Sequence, residues 1–221
     1  MSIFKDYANF YDLIYKDKLY KQEAEFVYNW ANKPKNILSL GCGTGQHEKY
    51  WCKYTKIIAI DQSEEMIKNA YRHRNIKYIC ENINKFLFHK HLPFIECVVA
   101  MFNVVGYCLL KDIMPLLSLE KGKYFIFDFW DASKFNKQPP QPKVKYFDHS
   151  YRISLPAQIT KRLIRIDFII VKRGEIKAFE RHWVQRYFHK DIQDLCKKYG
   201  YKIVGIKPTK SWTVWYKIQR R

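Results

Sequence analysis

The segment Ile37-Leu38-Ser39-Leu40-Gly41-Cys42-Gly43-Thr44-Gly45 constrains the fold more than any other part of this 221-residue chain. A short apolar run enters a Gly-x-Gly-x-Gly turn, as where a buried strand hands the chain to a helix. Glycine reaches positive φ and lets the main chain pass close to a ligand. A helix opening behind the turn offers free N–H groups to an anion. The spacing is not that of dinucleotide sites, because the third glycine comes one residue early. A second apolar run, Ile57-Ile58-Ala59-Ile60, ends at Asp61, 20 residues beyond Gly41. A carboxylate at the tip of a neighbouring strand can accept both hydroxyls of an adenosine ribose. Its plainer alternative is a helix N-cap.

Strand and helix patterns alternate around this pair. Strands are expected at residues 36–40, 56–60, 77–80, 95–101 and 123–129. Helices are expected through the first 33 residues, from the glycine loop to about Tyr54, after Ser63 as N-cap, and at 112–119. The alternation predicts an α/β, Rossmann-like fold with a mostly parallel sheet and helices on both faces. After Trp130 the texture changes. Gln138-Pro139-Pro140-Gln141-Pro142 reads as a loop. The segments VKYFDHSYRISL, ITKRLIRIDFIIV and IKAFERHWVQRYF favour antiparallel strands, with Gly174 in a hairpin turn. Helix returns at 191–199 and stops at Gly200, and strands at 201–206 and 213–218 close a seven-stranded sheet. The expected organisation is a helical segment at 1–33, a core of 34–133 with 188–221, and a β insertion at 134–187.

Lys and Arg number 40 against 21 Asp and Glu, a net +19, which raises a nucleic-acid partner. The basic residues are scattered, however. The densest cluster, Lys161, Arg162, Arg165, Lys172 and Arg173, is interleaved with apolar residues. A solvated surface, or a phosphorylated small molecule, accounts for the charge without specific nucleic-acid recognition. The six cysteines form no C-x-x-C pair, so no metal site is expected and they read as reduced thiols of a cytoplasmic protein. The N-terminus carries charge from Lys5 onward, unlike a signal peptide. The longest apolar run, residues 97–110, is too short and polar for membrane insertion.

With loop and acid together, residues 37–129 resemble the class I S-adenosylmethionine (SAM)-dependent methyltransferases. The resemblance implies SAM as cofactor, held by Gly41, Cys42 and Gly43, with Asp61 and Gln62 at the ribose and Met66 near adenine. Cys80-Glu81-Asn82-Ile83 matches the segment that usually sends an Asp toward the adenine amino group. Here Asn82 stands in that place, beside Ile83, and its carbonyl oxygen can still accept. Ser39 stands where the family usually has an acid that organises the glycine loop. Met101 is the remaining expected cofactor contact.

The segments Tyr7-x-x-x-Tyr11-Asp12-Leu13-Ile14-Tyr15, Asp17-Lys18-Leu19-Tyr20 and Met101-Phe102-Asn103-Val104-Val105-Gly106-Tyr107 look like bacterial methyltransferases of amino-sugar and glycan-precursor pathways. Nucleotide-linked amino-sugar N,N-dimethyltransferases are the nearest likeness. It implies that residues 1–33 close as a lid, with Tyr15 toward the methyl and Tyr20 toward the methionyl end. Tyr15, Asn103 and His182 are then the catalytic candidates, and Asp128 and Asp131 are further candidate bases. Tyr11, Tyr107, Trp130 and Arg152 are candidates for the acceptor, which the insertion shapes, with Arg152, Arg181 and Arg186 available to phosphate.

The expected reaction is methyl transfer to N or O of a small molecule, a nucleotide-linked sugar or other phosphorylated glycan precursor. An RNA or protein methyltransferase is the alternative. Against base-amine methylation, the fourth strand ends Met101-Phe102-Asn103-Val104, not Asn/Asp-Pro-Pro-Tyr/Phe. A non-catalytic SAM-binding subunit comes third. Self-association as a homodimer stays open.

Overall fold

The computed structural model describes residues 4–89, 95–117, 119–120 and 123–221. Seven strands form one sheet: β1 (Asn36–Leu40), β2 (Lys56–Asp61), β3 (Ile76–Cys80), β4 (Cys97–Ala100), β5 (Tyr124–Trp130), β10 (Tyr201–Pro208) and β11 (Thr213–Arg220). Their order is β10-β11-β5-β4-β1-β2-β3. The first five run parallel, while β11 is antiparallel to both β5 and β10. The strand order reverses between β1 and β4, so the loops after those strands open onto the crevice where ligands of such sheets bind.

Alternation along β1 sends Leu38 and Leu40 to one face and Ile37 to the other, and both faces are covered. One face packs on α5 (Ile83–His89), α6 (Leu110–Ile113) and α8 (His189–Tyr199) through Phe86, Ile113 and Ile192. The other packs on α2 (Tyr20–Trp30) and α3 (Glu48–Trp51) through Val27 and the buried Trp51. The Trp51 indole N–H donates to the Ala24 carbonyl at 2.8 Å. Ser63 caps α4 (Glu64–Lys68), its hydroxyl accepting the Met66 amide at 3.1 Å. Gly200 ends α8 in the left-handed conformation.

A second, four-stranded antiparallel sheet is made of β6 (Lys143–Phe147), β7 (Ser150–Gln158), β8 (Leu163–Lys172) and β9 (Glu175–Gln185). The N-terminal α1 (Ala8–Ile14) packs on this sheet, with Tyr7 and Ile14 against Phe147, Ile170 and Ala178. Residues 1–33 therefore divide. Of their described part, α1 belongs with the insertion and α2 with the core.

Other departures from the expected elements have local causes. The helix after the glycine loop is one turn, continued to Thr55 by hydrogen-bonded turns on Trp51. The helix expected at 112–119 is α6 plus a 3-10 turn at Met114–Leu116, and its residue 118 lies outside the described residues. The helix α7 (Ala132–Lys137) was not expected. Asp131 caps it through the Ser133 amide at 2.8 Å, and it is too short to show apolar periodicity. The run VKYFDHSYRISL is two strands, because Asp148 and His149 both take positive φ and turn a tight hairpin without glycine. No helix among the described residues is long and apolar enough to cross a membrane.

Gly45 sits at φ +74°, and a Cβ there would lie 2.1 Å from the Tyr78 hydroxyl oxygen. Gly45→Ala should cost about 2–4 kcal/mol of stability, combining left-handed strain with overpacking. Tyr78→Phe in the same chain should return the packing part. Denaturant melts of the single and double variants check this, and equal stabilities for the two would refute the contact.

Candidate active site

Two cavities meet above the carboxyl ends of β1, β4 and β5. The first encloses about 790 Å³ of atom-free space beside the glycine loop. Gly41, Cys42, Gly43, Asp61, Gln62, Met66, Ile83, Met101 and Tyr20 all line it. Gly41 holds φ +65°, and a Cβ there would meet Val104 at 2.5 Å. The Asp61 carboxylate fastens the loop, accepting the Gly43 amide at 2.8 Å and the Ser63 amide at 2.9 Å. Burial pushes this carboxyl up, against the pull of those amides. Each oxygen keeps a lone pair for a further donor. Burial likewise raises the Cys42 thiol well above its ordinary value, so it lines the cavity as a small neutral group and not as a nucleophile.

Asn82 does not line this cavity. Its side-chain oxygen accepts the Asn84 and Lys85 amides at 3.0 and 3.3 Å at the start of α5, and its nitrogen reaches Gln62 Oε1 at 3.3 Å. The oxygen expected to meet adenine is thus engaged by a helix start. The acid absent from Ser39 comes from another element. Glu48 of α3 is buried and accepts the Ser39 hydroxyl. Sequence reading also passed over Asp12 of α1, which accepts the Thr44 hydroxyl and, at 2.9 Å, the Gln46 amide, tying the helix to the loop. His47 lines the cavity too and bonds Glu23 at 2.8 Å, while Lys18 ion-pairs the same oxygen. A lone Asp on an amphipathic helix gives no signal of that contact.

The second cavity encloses about 1260 Å³ between α1, the tips of β4 and β5, and the insertion. Tyr15, Asn103, Trp130 and Arg152 line it, and Tyr11 and Tyr107 line both cavities together with Phe4 and Phe102. Rings make up most of this wall. Tyr15 meets Phe102 edge-on at 5.0 Å and Tyr11 at 4.8 Å. Phe102 and Asn103 both take left-handed φ, 66° and 61°. Asp128 accepts the Asn103 amide at 3.1 Å, and Asn103 Oδ1 accepts the Trp130 amide at 3.3 Å, which holds the turn.

The candidate bases separate. His182 is fully buried and lines neither cavity, but it reaches their junction through one atom. Its Nδ1 lies 3.0 Å from the Tyr107 hydroxyl and its Nε2 lies 2.9 Å from Glu180 Oε2. A carboxylate on Nε2 assigns the proton there and leaves Nδ1 to accept from Tyr107. Burial pushes Glu180 up, but His182 and the Tyr7 and Phe4 amides outweigh it and hold the carboxyl below its ordinary value. Asp128 is buried, its carboxyl pushed up to about 7, and it serves the Asn103 turn. Asp131 is spent capping α7.

Two of the three arginines considered for phosphate lie elsewhere. Arg181 is engaged by Asp167 at 2.8 and 3.0 Å. Arg186 is buried over the Phe135 ring and donates to the Thr160 carbonyl at 2.6 Å. Within the basic cluster, Arg162 pairs with Asp191, Arg165 with Asp167 and Lys172 with Asp148. Among the described residues no group of His, Cys, Asp and Glu could hold a metal ion.

Residues 37–118 match the profile of a family described as a methyltransferase domain. No curated protein matches the chain. Among solved structures, a SAM-dependent methyltransferase from Clostridium acetobutylicum ATCC 824 is similar with a TM-score of 0.78 at 20% identity, covering 97% of each chain. The sugar N-methyltransferase KedS8 from Streptoalloteichus sp ATCC 53650 gives 0.76 at 15%, over 96% of this chain and 93% of that one. SAM-bound CalS10 from Micromonospora echinaspora, an amino pentose methyltransferase, gives 0.74 at 14%, over 93% of each. Residues 37–118 thus match a methyltransferase domain, and the chain has the fold of these SAM-dependent methyltransferases.

Burial pushes the Glu48 carboxyl from its ordinary 4.5 up to about 7. The unfolded chain then loses that proton first, so this group's stabilisation is full at low pH and declines as pH rises from about 4.5 to about 7. Asp128 has the same sign. In Glu48→Gln, which keeps an oxygen for Ser39, the melting temperature should fall less between about pH 5 and pH 7 than in wild type. Parallel thermal melts check it, and identical slopes would count against the raised value.

Proposed function

We propose that this methyltransferase moves the methyl group of SAM to a nitrogen or oxygen of a small molecule seated in the aromatic chamber. A nucleotide-linked sugar or related phosphorylated glycan precursor is the acceptor class. The carrying observation is that the glycine-loop cavity and the chamber share Phe4, Tyr11, Phe102 and Tyr107 as a common wall.

The residues of the first cavity fit SAM. Gly43, at φ +56°, leaves open the space where a Cβ would project, Asp61 offers two oxygens to ribose hydroxyls, and the buried Tyr20 hydroxyl has no hydrogen-bond partner among the described residues. That hydroxyl would serve the methionyl carboxylate. When bound, SAM supplies an activated methyl on a sulfonium, so the protein's work is alignment and removal of one proton. Tyr11, Tyr15 and Phe102 present ring faces or edges beside the junction, and such rings stabilise a cation by about 0.5–2 kcal/mol each in favourable geometry.

Tyr107 is the acceptor-side proton carrier in this reading. Its oxygen takes a proton from the acceptor while its own proton passes to His182 Nδ1, and Glu180 stabilises the imidazolium. Tyr15 and Asn103 line the acceptor side, where they orient the substrate. Support for a phosphorylated acceptor comes from a neighbouring recess lined by Lys134, Lys137, Lys210 and Trp212, since Trp212 also lines the chamber. The KedS8 and CalS10 likenesses support a sugar acceptor.

Asp61→Ala should weaken SAM binding about 10- to 100-fold by calorimetry, the loss expected for hydrogen bonds to a charged group. Unchanged affinity would remove Asp61 from the ribose. Tyr107→Phe and His182→Asn should each lower turnover about 100-fold or more, with SAM affinity nearly unchanged and the double variant no worse than either. Labelled SAM with a panel of amino-sugar nucleotides and phosphosugars supplies the assay. Additive losses would break the relay, and labelling of RNA alone would replace the acceptor class.

A further inference from the structure

Arg152 is a buried cation without an anion among the described residues. It stands on β7 facing α1, with 9% of its surface exposed. Its Nη1 donates to the Tyr7 hydroxyl at 2.8 Å and the Tyr15 hydroxyl at 3.0 Å. The guanidinium lies 5.2 Å from the Phe168 ring centre and 5.5 Å from that of Tyr15. Among the described residues no carboxylate comes within ion-pair distance of it, whereas Arg162 and Arg181 each have one. Burial drives the Tyr7 hydroxyl further from ionising. Among the described residues Nε is buried without a partner.

The unfilled polar atoms gather on one chamber. Ser154, two residues along β7, has a buried hydroxyl without a partner, and so does the side-chain nitrogen of Asn103 across the cavity. Arg152, Ser154 and Asn103 all line the chamber, as does Lys143. A buried charge is costly unless it is paired, and buried donors are ordinarily satisfied. The sulfonium of the donor would bring a second positive charge to the wall that the two cavities share.

From this we propose that the acceptor carries an oxyanion of its own, a carboxylate or a phosphate, which sits inside the chamber on the Arg152 guanidinium and the Ser154 hydroxyl. The inference rests on the chamber being the acceptor site. It places a negative group close to the methylated atom, apart from any phosphate at the lysine-lined recess. A planar fork suits either oxyanion. The same cation disfavours a protonated amine nearby, which keeps a nitrogen acceptor nucleophilic.

The test uses the full chain saturated with the demethylated cofactor, S-adenosylhomocysteine. Inorganic phosphate, glucosamine 6-phosphate, galacturonate and neutral N-acetylglucosamine are titrated by calorimetry. At least one anionic probe should bind, at least tenfold more tightly than the neutral sugar, and the stronger of the phosphate and carboxylate arms names the source. Arg152→Gln should lose that binding at least tenfold with cofactor affinity unchanged, and Arg152→Lys should fall between. Ligand-free Arg152→Met should melt no lower than wild type, because it removes an unpaired buried charge. A fall of several degrees would make Arg152 a support for Tyr7 and Tyr15 and overturn the proposal. So would anion binding that survives Arg152→Gln, or no anionic probe binding at all. Methylation of a neutral acceptor would sink this inference and leave the methyltransferase reading standing. Failure to bind the cofactor would sink the latter.

Discussion

One buried carboxylate fastens the N-terminal chain to the insertion sheet. Glu180, on β9, accepts the backbone amides of Phe4, Lys5 and Tyr7 at 2.8, 2.9 and 3.1 Å, and His182 at 2.9 Å. A carboxylate in such a place must have its lone pairs filled, and the main chain leading into α1 fills them. Phe4, Tyr7 and Tyr11, which wall the cavities, are thereby positioned by a strand of the insertion. The other side of α1 is held by Asp12 on the glycine loop. The helix is tied at once to the sheet that shapes the chamber and to the loop that faces the cofactor cavity.

The tip of β4 carries the second constraint. Two consecutive residues with side chains, Phe102 and Asn103, sit in the left-handed region, at a cost of about 1–3 kcal/mol each. The turn sends Phe102 to the junction of the cavities and Asn103 into the chamber wall. Asp128 holds it from the adjacent strand, taking the Asn103 amide in a site dry enough to raise its own carboxyl to about 7. A carboxylate that looks like a base from its place at a strand tip is here a clamp on strained backbone.

The parallel sheet was legible because its signals are local. The apolar runs of β1, β2 and β4, the glycine loop and the Ser63 cap each declare themselves within a few residues. The β insertion was legible as alternation, but not the hairpin at Asp148-His149, which uses left-handed residues that no glycine announces. Residues of the glycine-loop cavity were readable where a backbone shape demanded them, as at Gly41 and Gly43. Asn82 lies off that cavity, at the start of α5, where an Asn serves as a cap. The sequence could not link Ser39 to Glu48, Asp12 to Gln46, or Tyr107 to His182, since these pairs meet only after the chain has folded. Arg152, Arg181 and Arg186 looked alike in sequence, and only their neighbours separate them.

That α1 packs its apolar face on the insertion sheet while its Asp12 holds the glycine loop of the core has an evolutionary consequence. A change on β7, β8 or β9 that recut the chamber would also move the helix that is bonded to the glycine loop. The shapes of the two cavities are therefore inherited together. Grafting a foreign insertion onto this core would need the N-terminal helix to travel with it, although more than a hundred residues of sequence lie between them.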